Sequence, residues 1–381
     1  MSSGADVSTD QVSLGVLVGS VPRDVIDGAV AACGVGEKRS GGKLPAPVVA
    51  YLVMAMWLFS SDDYEEVATK VTGALDRWGC WDAGWSVPSA SGITQARKRL
   101  GSNVMAQIFE GIAEPVATSD TRGAWLRDWR LTAIDGFDVD LPDSDDNAEA
   151  FGYAGSGEGH SGYPKARVVA LSECGTHAFL AAEVEAYAVG EKTMARRLYP
   201  RLHGDEILTA DRNFYSYTDW GLAVDAGAQL LWRAPTGLGL PVVRVLTDGT
   251  FLSVLINPAI RATTRREAIL AAARAGDDLD PEQGYLVRVV EYDVPDRVGN
   301  GSGELIVLLT TILEVGDARA GELAAAYQPA STRHQGPATI HLHELSGGRF
   351  TLGVGVGWLA GMVAASLATT TGFRSAIPKR I

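Results

Sequence analysis

Two aspartates stand where a carboxylate could do chemistry. In "RLTAIDGFDVDLP" the apolar residues recur with period two, which predicts a strand. Leu131, Ala133, Phe137, Val139 and Leu141 then share one face, and Asp135 lies on that face with them. Burying an unpaired carboxylate is costly, so Asp135 needs a cation, a hydrogen-bond donor or a proton. Asp211 ends the run "EILTAD", at the C-terminal end of a predicted strand opening into a loop, where α/β sheets place their sites. If the two strands are neighbours, the two carboxylates could share a divalent cation. Mg²⁺ suits one or two carboxylates together with phosphate oxygens. Two such ions can activate a water or hydroxyl and stabilise the leaving oxygen of a phosphodiester. A plainer reading stands beside this one: Asp135 pairs with a nearby arginine and Asp211 caps the turn that follows it.

The elements that must position these residues follow from the chain's patterning. Residues 1–125 read as helical, with Pro45 and Pro47 opening an apolar run, Ser60 or Ser61 capping "DDYEEVATKVTGAL", and Ser89 or Ser91 capping a helix that Gly101 stops. From about residue 129 the pattern turns to strands. "ARVVALSE" and "HAFLAAEVEAY" predict a hairpin turning at Cys174–Thr176. Helical "EKTMARRLYPRL", strand "EILTAD", helical "SYTDWGLAVDAG" and strand "AQLLWRAP" come next, an order that implies a mixed α/β layer. Residues 236–312 read as mostly strand, a β-rich insertion or subdomain.

The composition bounds the possibilities. The chain has 381 residues, 46% hydrophobic and 21% charged, as an ordinary globular protein does. A net charge of −13 counts against nucleic acid as a partner unless Lys and Arg cluster locally. Three distant cysteines, Cys33, Cys80 and Cys174, fit neither a structural zinc site nor a disulfide framework, which suits a reducing cytoplasm. No basic region leads into an apolar run at the N-terminus, so no signal peptide is expected. The apolar run Pro47–Phe59 is too short to span a membrane, for which ~20 residues are needed, and predicts a core helix.

Three segments, "AIDGFDVDLPDSDDNAEAFG", "GYPKARVVALSECGTHAFLAA" and "ILTADRNFYSYTDWGLAVDAGAQLLWRAP", together resemble bacterial DDE transposases of the insertion-element-four type. "LPAPVVAYLVMAMWLFSSDDYEEV" and "VPSASGITQARKRLG" resemble the helical N-terminal domain of the same family, and the likeness covers roughly residues 13–327. It implies an α/β fold with an RNase H-like mixed-sheet core: a helical DNA-binding domain over 1–125, the first part of the core over 126–235, a β-rich insertion over 236–312 and the start of a returning catalytic helix over 313–327. It implies Mg²⁺- or Mn²⁺-dependent cleavage and strand transfer at the ends of a mobile DNA element, with Asp135 and Asp211 as the first two catalytic, metal-holding carboxylates. The partners it implies are the element's terminal inverted repeats and target DNA, engaged by a homodimer in the cytoplasm, with no membrane.

The family's third carboxylate belongs to a helical signature of Tyr, two residues, Arg, three residues, Glu, six residues, Lys. With Tyr327 as its Tyr, Ala330 holds the Arg place, His334 the Glu place and His341 the Lys place. Pro329 and Pro337 are expected to break the helix. From Gln328 to Ile381 the only acidic residue is Glu344, against 45 in the preceding 327 residues. So abrupt a change at the motif itself points to a shifted reading frame or a local deletion and rearrangement over 328–381, the shifted frame being favoured by the Gly-, Ala-, Ser-, Thr- and Arg-rich tail, and with it to a chain that cuts little or no DNA.

Other signals are weighed on the same terms. Arg97, Lys98 and Arg99 in "QARKRL" follow a turn as in a helix-turn-helix, and the resemblance favours DNA contact over a merely solvated face. Arg212, Arg265 and Arg266 are further candidates, with Lys192, Arg196, Arg197, Arg201 and Arg261 as basic neighbours. "GEGHSG" matches a dinucleotide fingerprint but precedes a predicted strand, so a loop is expected. Phe350–Phe373 is long enough to span a bilayer, yet its glycines and hydroxyls leave it weakly apolar, and a tail is expected. His341 and His343 lack a third ligand nearby.

Overall fold

The computed structural model describes residues 17–35, 44–59, 62–77, 86–155, 159–294 and 304–331. The expectations for Ser60, Ser61, Cys80, Pro337, Glu344, the two histidines His341 and His343, and Phe350–Phe373 lie outside these residues.

The N-terminal helices are α1 (Arg23–Ala32), α2 (Ala46–Leu58), α3 (Tyr64–Arg77), α4 (Ala90–Leu100) and α5 (Ser102–Ile112). The apolar run is the central helix: every residue from Val48 to Ala55 in α2 is buried, and α1, α3 and α4 pack around it. Its α-helical form follows from Pro45 at the N-cap and Pro47 within the first turn, positions where the missing N–H costs nothing. Asp63 caps α3: its Oδ1 accepts from the amides of Glu65 (2.9 Å) and Glu66 (2.8 Å), and Glu66 Oε2 accepts in return from the Asp63 amide (3.2 Å). Ser89 Oγ caps α4 through the Gly92 amide, and Gly101, at φ 78°, turns the chain into α5.

The remaining strands form one ten-stranded sheet ordered β4-β3-β2-β5-β6-β10-β9-β8-β7, with the short β1 (Trp125–Leu126) on β2. β2 (Trp129–Asp140) runs antiparallel to β3 (Lys165–Glu173), which forms the expected hairpin with β4 (Phe179–Ala186). On its other side β2 is parallel to β5 (Glu206–Ala210), and β5 is parallel to β6 (Gln229–Arg233). A short helix, α6 (Asp145–Phe151), lies between β2 and β3. α7 (Glu191–Leu198) and α8 (Tyr217–Asp225) cover one face, where Ile134, Val169, Leu208, Leu230 and Trp232 are buried. The other face buries Leu131, Ala133, Ile207, Leu231 and Leu308 beneath α10 (Ala320–Ser331), through Leu323, Ala326 and Tyr327. Because successive strand residues face opposite ways, the near-continuous apolar runs of β5 and β6 suit a sheet covered on both sides.

The segment 236–312 does not stand apart as strands of its own. Its β8 (Phe251–Ile256), β9 (Gly284–Val294) and β10 (Glu304–Thr310) extend the same sheet through β10 and β6, where Leu308 pairs with Arg233. It also carries a helix, α9 (Thr263–Ala275), and reduces "LPVVRVL" to the two-residue strand β7 (Arg244–Val245). At the C-terminal end, α10 continues through Pro329 to Ser331, where the sequence predicts a break. A proline in the final turn forfeits a single backbone hydrogen bond, so the helix carries it to its end.

Two polar anchors join the helices to the sheet. Glu173, fully buried at the end of β3, takes the Ala117 amide at 2.8 Å, the Val116 amide at 3.3 Å and the Thr176 hydroxyl at 2.6 Å, and pairs with Arg130. Arg201 reaches back to Glu110 of α5 at 2.6 Å.

Candidate functional site

The pairing of β2 with β5 decides where the two aspartates lie. Leu131 is opposite Ile207, Ala133 opposite Thr209 and Ile134 opposite Ala210. The next step along each chain brings Asp135 and Asp211 side by side, on strands about 5 Å apart and on one face of the sheet. β5 ends at Ala210, so Asp211 opens the following turn while Asp135 is still held in β2, paired to Ala170 of β3. Both carboxylates are partly exposed. The Asp135 carboxylate accepts the Gly136 amide at 2.8 Å. The Asp211 carboxylate accepts the Asn213 amide, and its carbonyl accepts the Phe214 amide at 3.1 Å, an Asx-type turn that fixes the side chain's direction.

Other groups close around this pair. Arg233, the last residue of β6, is the next in step after Asp211, because Ala210 pairs with Trp232. Tyr327 of α10 is 4% exposed on the same face. Burial pushes its hydroxyl upward; the charge of Arg233 opposes this, and Asp211 and Asp135 add to it. Glu191, at the start of α7, lies against Gly136: a Cβ there would be 2.8 Å from Glu191 Oε1. Burial raises the Glu191 carboxyl, Arg167 lowers it, and the negative charges of Asp135, Asp138 and Asp211 raise it further. Two residues far apart in sequence thus sense the same pair of carboxylates. Arg167 itself is held by Asp138 at 3.0 Å.

The donors suit a hard divalent cation. Two carboxylates, one within β2 and one just past the end of the neighbouring β5, each oriented by a backbone amide, supply the one or two protein ligands that Mg²⁺ takes beside phosphate oxygens and water. Among the described residues no group of three or more His, Cys, Asp or Glu side chains could hold a metal ion. His334, at the place of the third carboxylate, lies outside the described residues.

The basic candidates divide by what they touch. Arg97 is a correction: it is 5% exposed, donates to the Tyr64 hydroxyl at 2.6 Å and stacks on that ring, so its charge is spent inside the helical core. Lys98 and Arg99 beside it are exposed, Arg99 with one donor on the Leu44 carbonyl. Arg212 and Arg265 are exposed, and the half-buried Arg266 donates to the Ile260 carbonyl. The basic neighbours on α7 serve the fold: Lys192 donates to the Tyr215 carbonyl, Arg196 pairs with the buried Asp219, and Arg197 pairs with Glu183 and Glu185. The glycine-rich stretch, described from Gly159 on, lies between the bridged residues Tyr153 and Pro164 and leads into β3, with no α-helix after it among the described residues to take a pyrophosphate. Among the described residues no helix is long and apolar enough to cross a membrane.

Sequence reasoning passed over Arg233 and Glu191. The signal for Arg233 was available, since "AQLLWRAP" ends an apolar strand on a cation as "EILTAD" ends one on a carboxylate. Glu191 carried none, because only the fold of α7 over β2 brings it to Gly136.

A core of three antiparallel strands continued by two parallel ones, with aspartates in step on the two strands where the direction changes, defines an RNase H-like α/β protein. Residues 11–110 match the family described as "Insertion element 4 transposase N-terminal". The chain is similar to "Putative transposase InsZ" of Escherichia coli (strain K12), 30% identical over 181 residues, which is 46% of this chain and 56% of that protein. It is also similar to "Transposase InsG for insertion sequence element IS4" of the same organism, 25% identical over 200 residues, covering 52% of this chain and 43% of that protein. The chain is therefore related to the insertion-element-4 type of transposase, and it spans about half the length of the curated relatives it matches.

Proposed function

We propose that this chain is a transposase for DNA-mediated movement of an insertion sequence, built for metal-dependent phosphodiester cleavage and strand transfer at the element's ends and impaired in that chemistry. The observation that carries the reading is that Asp135 and Asp211 are in step on the neighbouring strands β2 and β5. The transposase relatives supply the substrate class.

Asp135 and Asp211 would hold the divalent cation, Mg²⁺ or Mn²⁺. The bound cation supplies charge neutralisation at phosphate oxygens and lowers the pKa of an attacking water or hydroxyl. The protein's share is positioning, which is most of what phosphoryl transfer asks of it. β2 and β5 fix the separation of the two carboxylates, and the Gly136 and Asn213 amides fix their orientation. Residues 1–125 would bind the element ends, with Lys98 and Arg99 of α4 as phosphate contacts, and Arg212 and Arg265 would touch DNA from the core side. The working form would be a homodimer on paired ends.

The impairment follows from His334 standing where the family places its third carboxylate. A site with two of three carboxylates holds its metals loosely. A second reading follows from the same residue: a non-catalytic relic that still recognises element ends. Incubating the purified chain with Mn²⁺ and DNA carrying its element's ends separates the two readings. End binding with slow cleavage that vanishes in Asp135→Ala supports the impaired transposase. End binding without any cleavage supports the relic. Efficient cleavage of DNA lacking the ends would point instead to a general nuclease and contradict both.

A further inference from the structure

The sheet aligns a third charged residue with the two aspartates. β2, β5 and β6 are consecutive parallel strands, and the pairs Ile134–Ala210 and Ala210–Trp232 put Asp135, Asp211 and Arg233 in one row. By the alternation along each strand the three side chains lie on the same face, the one covered by α10. Tyr327 of that helix senses the charge of all three. Arg233 is partly exposed, so its guanidinium can meet a ligand arriving at the strand ends. Its strand is closely packed. Trp232, beside it, is wholly buried, edge-on to Trp220 at 5.5 Å and tilted against Tyr199 at 6.1 Å. On its other side Arg233 pairs with Leu308 of β10.

We propose that Arg233 is a substrate-contacting residue of this site, its guanidinium holding a non-bridging oxygen of the DNA phosphodiester presented to Asp135 and Asp211. The proposal rests on the reading of that pair given above. A row of carboxylate, carboxylate and guanidinium is suited to a phosphate: the carboxylates need a cation before they accept an anion, whereas the planar fork of an arginine binds phosphate oxygens directly and in pairs. Placement on a strand instead of a loop makes its position precise. The competing role for Arg233 is structural, as a fixed counter-charge to the aspartates.

The two roles part in a binding experiment on the full chain, using Mn²⁺ alone and a duplex oligonucleotide carrying the element end. If Arg233 holds phosphate, Arg233→Ala lowers DNA affinity in Mn²⁺ by about tenfold. It also reduces the slope of log affinity against log salt by about 0.9, one phosphate contact. Mn²⁺ binding without DNA stays the same or tightens, because a nearby positive charge has gone. Arg233→Lys restores the salt slope but not the full affinity, since it keeps the charge without the fork. Unchanged DNA affinity and slope in Arg233→Ala would overturn the proposal, as would full affinity in Arg233→Lys. A loss of Mn²⁺ binding in Arg233→Ala would also overturn it, by showing that Arg233 only supports the aspartates. If Arg233→Ala does not fold, Arg233→Lys decides alone. If instead Asp135→Asn and Asp211→Asn leave Mn²⁺ binding at the wild-type level, the reading of the pair itself fails and takes the proposal with it.

Discussion

A charged residue in this protein is read correctly only when its partner is known. Arg97, Lys98 and Arg99 are consecutive and chemically alike, yet Arg97 turns inward to Tyr64 while its neighbours face solvent. The sequence shows three cations on one helix; it does not show that Tyr64, 33 residues earlier, stands under the first of them. Arg97→Ala should therefore destabilise the protein by about 2 kcal/mol, through the lost packing of a buried arginine and the loss of its hydrogen bond to the half-buried Tyr64. Thermal denaturation checks this. Lys98→Ala and Arg99→Ala should leave the melting temperature within a degree or two but weaken DNA binding and flatten its salt dependence. Asp135 was legible for the opposite reason: it interrupts an apolar face within its own strand, and that signal is local.

At the scale of elements, the parts written in local patterns are the parts that sequence reasoning finds. The strand bearing Asp135, the β3–β4 hairpin, the strand ending at Asp211 and the helices between them follow from periodicity and turn residues. The continuation of the sheet through β10, β9 and β8 does not, because pairing between Arg233 and Leu308 is a relation across 75 residues that neither strand records alone. The docking of α10 depends on another such relation. Arg288 of β9 is fully buried, pairs with Asp248 at 2.5 Å and donates to the carbonyls of Glu314 and Ala318, while Asp248 accepts the Ala320 amide that begins α10. Burial pushes the Asp248 carboxyl up, but hydrogen bonds from Thr250 and Ala320 and the charge of Arg288 outweigh it and hold the group below the usual aspartate range. A depressed carboxyl gives stability that is present above its unfolded value of about 4 and is lost as pH falls through the folded value. Asp248→Asn should thus cost about 3 kcal/mol at neutral pH, where it leaves a buried guanidinium without its counter-charge. The gap from wild type should narrow as pH drops below about 4. Urea denaturation at pH 7 and pH 3 measures both.

On the proposed reading, an acidic chain of net charge −13 has to grip DNA. Binding of that kind must come from local patches, so it should weaken steeply with salt; a flat response would count against Lys98, Arg99, Arg212 and Arg265 as contacts. The charge balance also changes abruptly along the chain, with the acidic residues all but ending at Tyr327. Sequencing the gene through the Tyr327 codon should reveal, in another frame, Tyr followed by Arg, Glu and Lys at the family's spacing. If no frame contains that Glu, the reading-frame explanation falls and Glu344 becomes the residue to test.

On the proposed reading, Asp135 and Asp211, brought into step by β2 and β5, together hold a divalent cation. The most direct test is a Mn²⁺ titration of the full chain, followed by electron paramagnetic resonance, in wild type, Asp135→Asn and Asp211→Asn. The wild type should bind Mn²⁺, and either single substitution should weaken that binding by tenfold or more, while both variants keep the wild-type melting temperature without metal. Binding that survives both substitutions unchanged would contradict it.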